Sequence, residues 1–427
     1  MSGPSFDDRL PILQLGALEV DRRNTSYVPD DFSSYFPPNS SQEWEYVWQN
    51  SEEDEPYTEA GKRCIAPLWI IVQRLNLLGW SERVAREFYE ESKRRSEESL
   101  VRTRFHLPPV PSFDVLGTGI ASLDVGRIPN LHEYEGRSSP WHDAALVAVE
   151  QDGGGVTTEH QPDPVEWYRS QIEKLDTATL IHLLAKNPSN RNLPVTWWAY
   201  HEVIYGYSGE DDYAEQIGAK SQDRVLVVTE GKSDTKIIQK SFSMLRPHLQ
   251  DFFTFVDMSE NYPFTGVGNL SNFYKGLQKI GVQNNVVVLF DNDAEGVAKF
   301  EDAARLSELP NIRPLKLPDL ASMVDFPTIG PAGEHYADIN GRAVSIECLL
   351  DLNWKSERKP TVRWTSYLKS TDTYQGELID KSSYLKRFLA LTNEQTPNYN
   401  SINLETLLDS ISLVAQKMAE YRLLNEH

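Results

Sequence analysis

Two short stretches place acidic side chains where they can do chemistry. VLVVTEGKSD (225–234) runs an apolar strand into Glu230-Gly231 and sets Asp234 four residues further on. VVVLFDNDAEG (286–296) runs a second strand into Asp291 and Asp293, with Glu295 opening a helix. Ligands of an open parallel sheet bind beyond the carboxyl ends of its strands, so neighbouring strands would bring all five carboxylates into one small volume. Bare, they would raise one another's pKa. A hard divalent cation resolves the repulsion: Mg²⁺ or Mn²⁺ takes oxygen ligands and keeps waters that phosphate can replace. Two such ions about 4 Å apart can clamp the attacking and leaving oxygens of a phosphodiester.

Blander readings are weaker. Gly231-Lys232-Ser233 has the form of a phosphate-loop tail, but the position of that motif's first glycine is held by Leu226, inside the strand. A lone Asp-x-Asp is most often solvated surface. Asp291-Asn292-Asp293 is not an EF-hand loop either, because Asp302 stands where the twelfth-position glutamate is required.

The elements that must hold these residues read as alternating strand and helix from Arg224 onward. Strands are expected at Arg224–Thr229, Phe252–Met258, Val286–Phe290 and Ile312–Leu317, with helices over Ser233–Leu245, Leu270–Ile280 and Ala294–Leu306. Short, continuously apolar strands separated by helices predict an α/β fold whose parallel sheet is covered on both faces. A turn after Phe290 is needed to aim both aspartates, and Asn292 and Gly296 suit one. Gly266 and Gly268 suit a tight turn after the second strand. The chain closes on an amphipathic helix with Leu404, Leu407, Leu408, Ile411, Ala415, Met418 and Tyr421 on one face.

The first 220 residues read as a mainly α domain. A helix is expected over Ile65–Leu78, stopped at Gly79, and Ser81 can cap a second one carrying Val84 and Phe88. Residues 107–163 are rich in Pro and Gly, helical spacing returns over Val165–Leu184, and Trp197-Trp198 and His201 read as core. The boundaries are 1–220, 222–335 for the metal-binding domain and 336–427 for a C-terminal extension.

Composition bounds the function. The 427 residues are 40% hydrophobic, enough to build real cores, and carry a net charge of −21. That charge excludes binding of nucleic acid by a broad basic face, so any such contact is local, carried by metal cations or supplied by a partner. Cys64 and Cys348 alone make no disulfide framework or cysteine zinc site, no apolar run spans a bilayer, and the polar start lacks signal-peptide character. A cytoplasmic protein without membrane contact is the expectation.

Glu230-Gly231 and Asp291-Asn292-Asp293 resemble the two landmarks of the Toprim domain, the Rossmann-like metal module of topoisomerases, primases and OLD-type nucleases. Asp234 and Glu295 resemble the OLD-type arrangement, which implies one metal at Glu230 and Asp234, another at Asp291 and Asp293, and Glu295 shared or accessory. The likeness extends to LPDL (317–320), PTIGP (327–331), DINGRAVSIECLLDL (338–352), VRW (362–364), YQGELIDK (374–381), DFSSYF (31–36) and QRLNLLGW (73–80), which resemble HEPN/Toprim-associated bacterial proteins. The resemblance implies a Mg²⁺- or Mn²⁺-dependent nuclease of prokaryotic anti-phage defence. DNA is favoured over RNA as substrate, and a defence-system partner protein or a second copy is implied. Catalytic candidates are Glu230, Asp291, Asp293, Lys381 and Lys232, with Arg342 behind the lysines; Glu230 can alternatively shuttle a proton. Glu347 is a further metal-ligand candidate. A HEPN ribonuclease would need Arg-x4–6-His on a helix; Arg137 and His142 have the spacing, but Pro140 between them argues against a helix. Nothing marks a topoisomerase tyrosine or a primase. The rival class is a metal-binding regulatory or scaffold subunit, which the acidic charge favours.

Overall fold

A computed structural model describes residues 11–22, 32–48, 57–103, 108–128, 139–153, 162–198, 217–256, 267–306, 308–331, 333–356, 358–369 and 372–426. Gly266, Arg137, His201 and the end of the expected second strand lie outside them. The chain divides into two compact units, residues 1–219 with 423–427, and residues 220–422.

The first unit is mixed rather than mainly helical. Strands β1 (Pro11–Leu15), β2 (Leu18–Arg22), β3 (Ser41–Trp48), β4 (Tyr57–Pro67) and β5 (Pro194–Trp197) form an antiparallel sheet in the order β2-β1-β5-β4-β3. Helices Leu68–Leu77, Glu82–Thr103, Phe113–Ala121, Pro140–Gln151, Pro164–Ile172 and Thr177–Leu184 accompany it. Leu13, Leu15, Leu68, Ile71, Leu75, Phe113, Ile120, Ile181 and Trp197 are among its fully or nearly fully buried core. The helix expected from Ile65 starts at Leu68 instead, because Ile65 and Ala66 pair with Thr196 and Val195 in the sheet. Ser81 does cap its helix, accepting from Val84 N at 3.4 Å. The helix after Ser139 corrects the expectation drawn from Pro140: proline stands at the first helical position, where its missing N–H costs nothing, and Ser139 Oγ accepts from Trp141 N.

The second unit is α/β. Strands β6 (Val225–Val228), β7 (Phe253–Phe255), β8 (Asn285–Phe290) and β10 (Ile312–Lys316) form a parallel sheet in the order β10-β8-β6-β7, joined by helices Lys232–Leu245, Val267–Ile280 and Ala294–Arg305. Every residue of β8 is buried, as a central strand covered on both faces requires. Val228, Leu270, Tyr274, Val286, Val288, Phe290 and Ile312 pack one core of it. The two-residue β9 (Asn292–Asp293) pairs with β13 (Ala343–Val344), and β11 (Phe326–Gly330), β12 (Gly333–Ala337), β14 (Val362–Leu368) and β15 (Thr373–Leu378) form a second sheet in the order β12-β11-β14-β15. Helix Lys381–Leu389 follows β15, and helix Ile402–Glu426 buries Leu404, Leu407, Leu408, Ile411, Ala415 and Met418. Tyr421, expected on that face, is exposed. No helix among the described residues is long and apolar enough to cross a membrane.

Candidate metal centre

The strand order creates the site. From β6 the chain steps outward to β7, then returns past β6 to β8 and β10, so the direction of winding reverses between β6 and β8. An open sheet leaves its ligand crevice at that reversal. Val228 pairs with Val288 across it, so Glu230 and Asp291 emerge from adjacent parallel strands within a residue of the same level. Strand spacing alone sets their backbones about 5 Å apart sideways.

Local bonds shape each end. After β6, buried Thr229 bonds to Thr235 at 3.0 Å and closes the turn into the helix. Asp234, in the first turn of that helix, reaches back to accept from Gly231 N at 3.0 Å, and Ser233 Oγ donates to its other oxygen at 3.3 Å. After β8 the chain does not fray into a turn. Asn292 and Asp293 pair with Val344 and Ala343, and Asp293 at once caps the next helix by accepting from Gly296 N at 2.7 Å. A Cβ at Gly296 would lie 2.3 Å from the Asp291 carbonyl oxygen, so only glycine lets the helix start this close to Asp291. Asn292 is fully buried and points away from the acids: its Oδ1 accepts from Lys316 Nζ at 2.9 Å and Gly341 N at 3.0 Å, and its amide donates to Asp319 Oδ1 at 2.7 Å. The side chain between the two aspartates is thus a staple that fixes the loop.

The acids act on one another. Burial, then Glu347, then Glu230 push the Asp234 carboxyl up to about 7, against the hydrogen bonds from Gly231 and Ser233. Asp291 is half-buried by exposed area, yet loss of hydration is the largest cause pushing its carboxyl well above the usual range. Asp234, Asp293 and Glu230 push it further, and Lys381 opposes them. Glu347 is buried on a short 3-10 turn, Ile346–Leu349, and accepts from Ser345 Oγ at 2.9 Å. Glu230, Asp234, Asp291, Asp293 and Glu347 therefore share one electrostatic neighbourhood, with Lys381 as its cation.

Other expected members are more exposed. Glu295 is exposed, because it falls on the outer side of the first turn once Asp293 takes the cap position. Lys232 is exposed at a helix start, and the Arg342 side chain is exposed beside the site. Gln375, which carries no charge and is not a site candidate within YQGELIDK, contacts two of the expected residues: its Nε2 donates to Asp293 Oδ2, and its Oε1 accepts from Glu295 N at 3.2 Å. The N–H groups of Glu295 and Gly296 are both engaged, so this helix start has little left to offer an anion.

Among the described residues no three His, Cys, Asp or Glu side chains are arranged, as they stand, to hold a metal ion between them. The fit to Mg²⁺ or Mn²⁺ lies in the donors themselves: oxygen ligands of one sign, partly desolvated and mutually repelling. Mg²⁺ is commonly held by one or two carboxylates and its own waters, without an all-protein cage.

Residues 13–221 match the family model described as HEPN/Toprim N-terminal domain 1. The match supports a HEPN/Toprim-associated family, and the candidate metal centre lies beyond the matched residues. No curated protein and no solved structure matches the chain. In the matched segment, His142 lies on helix Pro140–Gln151 with Nδ1 3.5 Å from Glu166 Oε1.

Proposed function

We propose that residues 220–422 form a Toprim-like centre of the OLD type that hydrolyses phosphodiester bonds of nucleic acid, DNA before RNA, with Mg²⁺ or Mn²⁺, in prokaryotic defence against phage. The observation that carries this reading is the gathering of Glu230, Asp234, Asp291 and Asp293 at the reversal point of a parallel sheet. The family match of the N-terminal half agrees with it.

Glu230, Asp234, Asp291 and Asp293 would hold the cations, with Glu347 adding negative charge behind Asp234. Bound there, the cations would orient the phosphodiester and supply an activated water. Lys381 would offset charge on the transferred phosphate, a role supported by its electrostatic action on Asp291. The net charge of −21 makes the rest of the surface repel nucleic acid, so the substrate is gripped at the cations rather than over a broad face. The same charge favours a second reading, a metal-binding scaffold that docks another defence protein. Incubation of the purified protein with plasmid DNA and with RNA in Mg²⁺ or Mn²⁺ separates the two. Cleavage that is lost in the Glu230→Gln/Asp291→Asn variant supports the nuclease. No cleavage with either metal and either substrate rejects it in favour of the scaffold.

A further inference from the structure

We infer that Gln375 is the positioning residue for Asp293, fixing the orientation in which that carboxylate meets a cation. The inference rests on the proposed metal centre and adds to it an uncharged residue that is not among the expected ligands.

The contact is built by three successive pieces of backbone. Asp293 pairs with Ala343 across the β9–β13 ladder. Strand β15 then lies against β13: Gly376 N donates to Arg342 O at 3.0 Å, and a Cβ on Gly376 would come within 2.8 Å of Val362 Cγ1 and 3.0 Å of Ala343 Cβ. The missing side chain at Gly376 is what lets β15 come so near. Gln375, one residue earlier, is thereby delivered to Asp293.

Its amide has one workable orientation. Nε2 faces the Asp293 carboxylate, which can only accept, and Oε1 faces the Glu295 N–H, which can only donate. Turning the amide over would set oxygen against oxygen and N–H against N–H. Asp293 Oδ1 is in turn held by Gly296 N. Each carboxylate oxygen thus carries one hydrogen bond and keeps lone pairs for a cation. A carboxylate gripped at both oxygens cannot swing, and such outer partners typically set metal affinity over a 10–100-fold range.

The test is a Mn²⁺ titration by calorimetry on the full chain, in a double-mutant cycle of Gln375→Met with Asp293→Asn. Methionine keeps the length and bulk of the side chain and removes both hydrogen bonds. The expected result is roughly 10–100-fold weaker Mn²⁺ binding for Gln375→Met. In the Asp293→Asn background the same substitution is expected to change binding less than about twofold, because a residue acting through Asp293 has nothing left to act on. Mn²⁺ affinity unchanged by Gln375→Met, or an equal loss in both backgrounds, overturns the role. No Mn²⁺ uptake by the unaltered protein overturns the metal centre itself, and this role with it. If the Met variant does not fold, Gln375→Asn, whose amide falls one methylene short of Asp293, gives the same comparison.

Discussion

Both units bury neutral, hydrogen-bonded polar groups, but the second also gathers like charges at one site. In the first, the fully buried Asn190 and Arg74 are neutral or singly charged staples with hydrogen bonds made. Asn190, fully buried, donates to the carbonyls of Leu123 at 3.0 Å and Leu184 at 2.9 Å and accepts from Val125 N at 2.9 Å. Arg74, also fully buried, donates through Nε to Ser34 O at 3.1 Å, and His182 bonds to the Trp80 carbonyl. All but the bond to Leu184 join segments far apart in sequence. The second unit has such staples too, Asn292 among them, but it also gathers like charges that raise the pKa of Asp234 and Asp291, with one lysine opposing them. Folding gains from the first arrangement and loses by the second. A fold tolerates the second kind where the charge serves something other than stability, as functional sites do.

The comparison can be broken at either side. The largest effect on stability is expected from Asn190→Ala, which removes three buried hydrogen bonds: Val125 N loses its acceptor, while the Leu123 and Leu184 carbonyls keep only their bonds from Asn187. A loss of about 2–4 kcal/mol is expected in urea unfolding, with Mn²⁺ uptake unchanged. A neutral result would mean that the first unit's staples are no more than packing.

The opposite sign, and a smaller size, is expected for Asp291→Asn. Without metal at pH 8, this variant should be more stable than the unaltered protein, because one of several repelling charges is gone. The gain should shrink on acidification. Asp234, pushed up to about 7 from 3.8, keeps its proton in the folded chain where the unfolded chain has lost it. Stability without metal therefore falls as pH rises from about 4 to about 7, and acidification relieves the repulsion that Asp291→Asn removes. Thermal unfolding of both proteins between pH 5 and 8 checks this. Equal stability at every pH would mean that the acids do not strain the fold.

How far the sequence reveals this depends on how local each signal is. The β6 and β8 strands are continuous apolar runs that end abruptly on acids, so their ends and the carboxylates on them could be read directly. Adjacency of β6 and β8 required only that a parallel sheet wind outward and back. The N-terminal sheet was hidden because the apolar run from Ile65 to Leu78 crosses from strand to helix without a polar break, with only Pro67 marking the change. Glu295 opens its helix as expected, but the exposure of its side chain depends on which residue caps that helix; Asp293 followed three residues later by Gly296 is the signal that decides it. Gln375 carries no charge and belongs to a strand whose register against β14 is shifted between Trp364 and Ser366. Its contact with Asp293 exists only once β9, β13 and β15 are stacked, and no spacing along the chain reports that.

The central claim is that acids from two strand ends form one cation site. Calorimetric titration of the full chain with Mn²⁺ at pH 8, beside the Glu230→Gln/Asp291→Asn variant, tests it most directly. The account predicts saturable uptake by the unaltered protein and a loss of more than about 100-fold in affinity in the variant, beyond what an outer partner alone would cause. No saturable uptake, or equal uptake by both proteins, would contradict it.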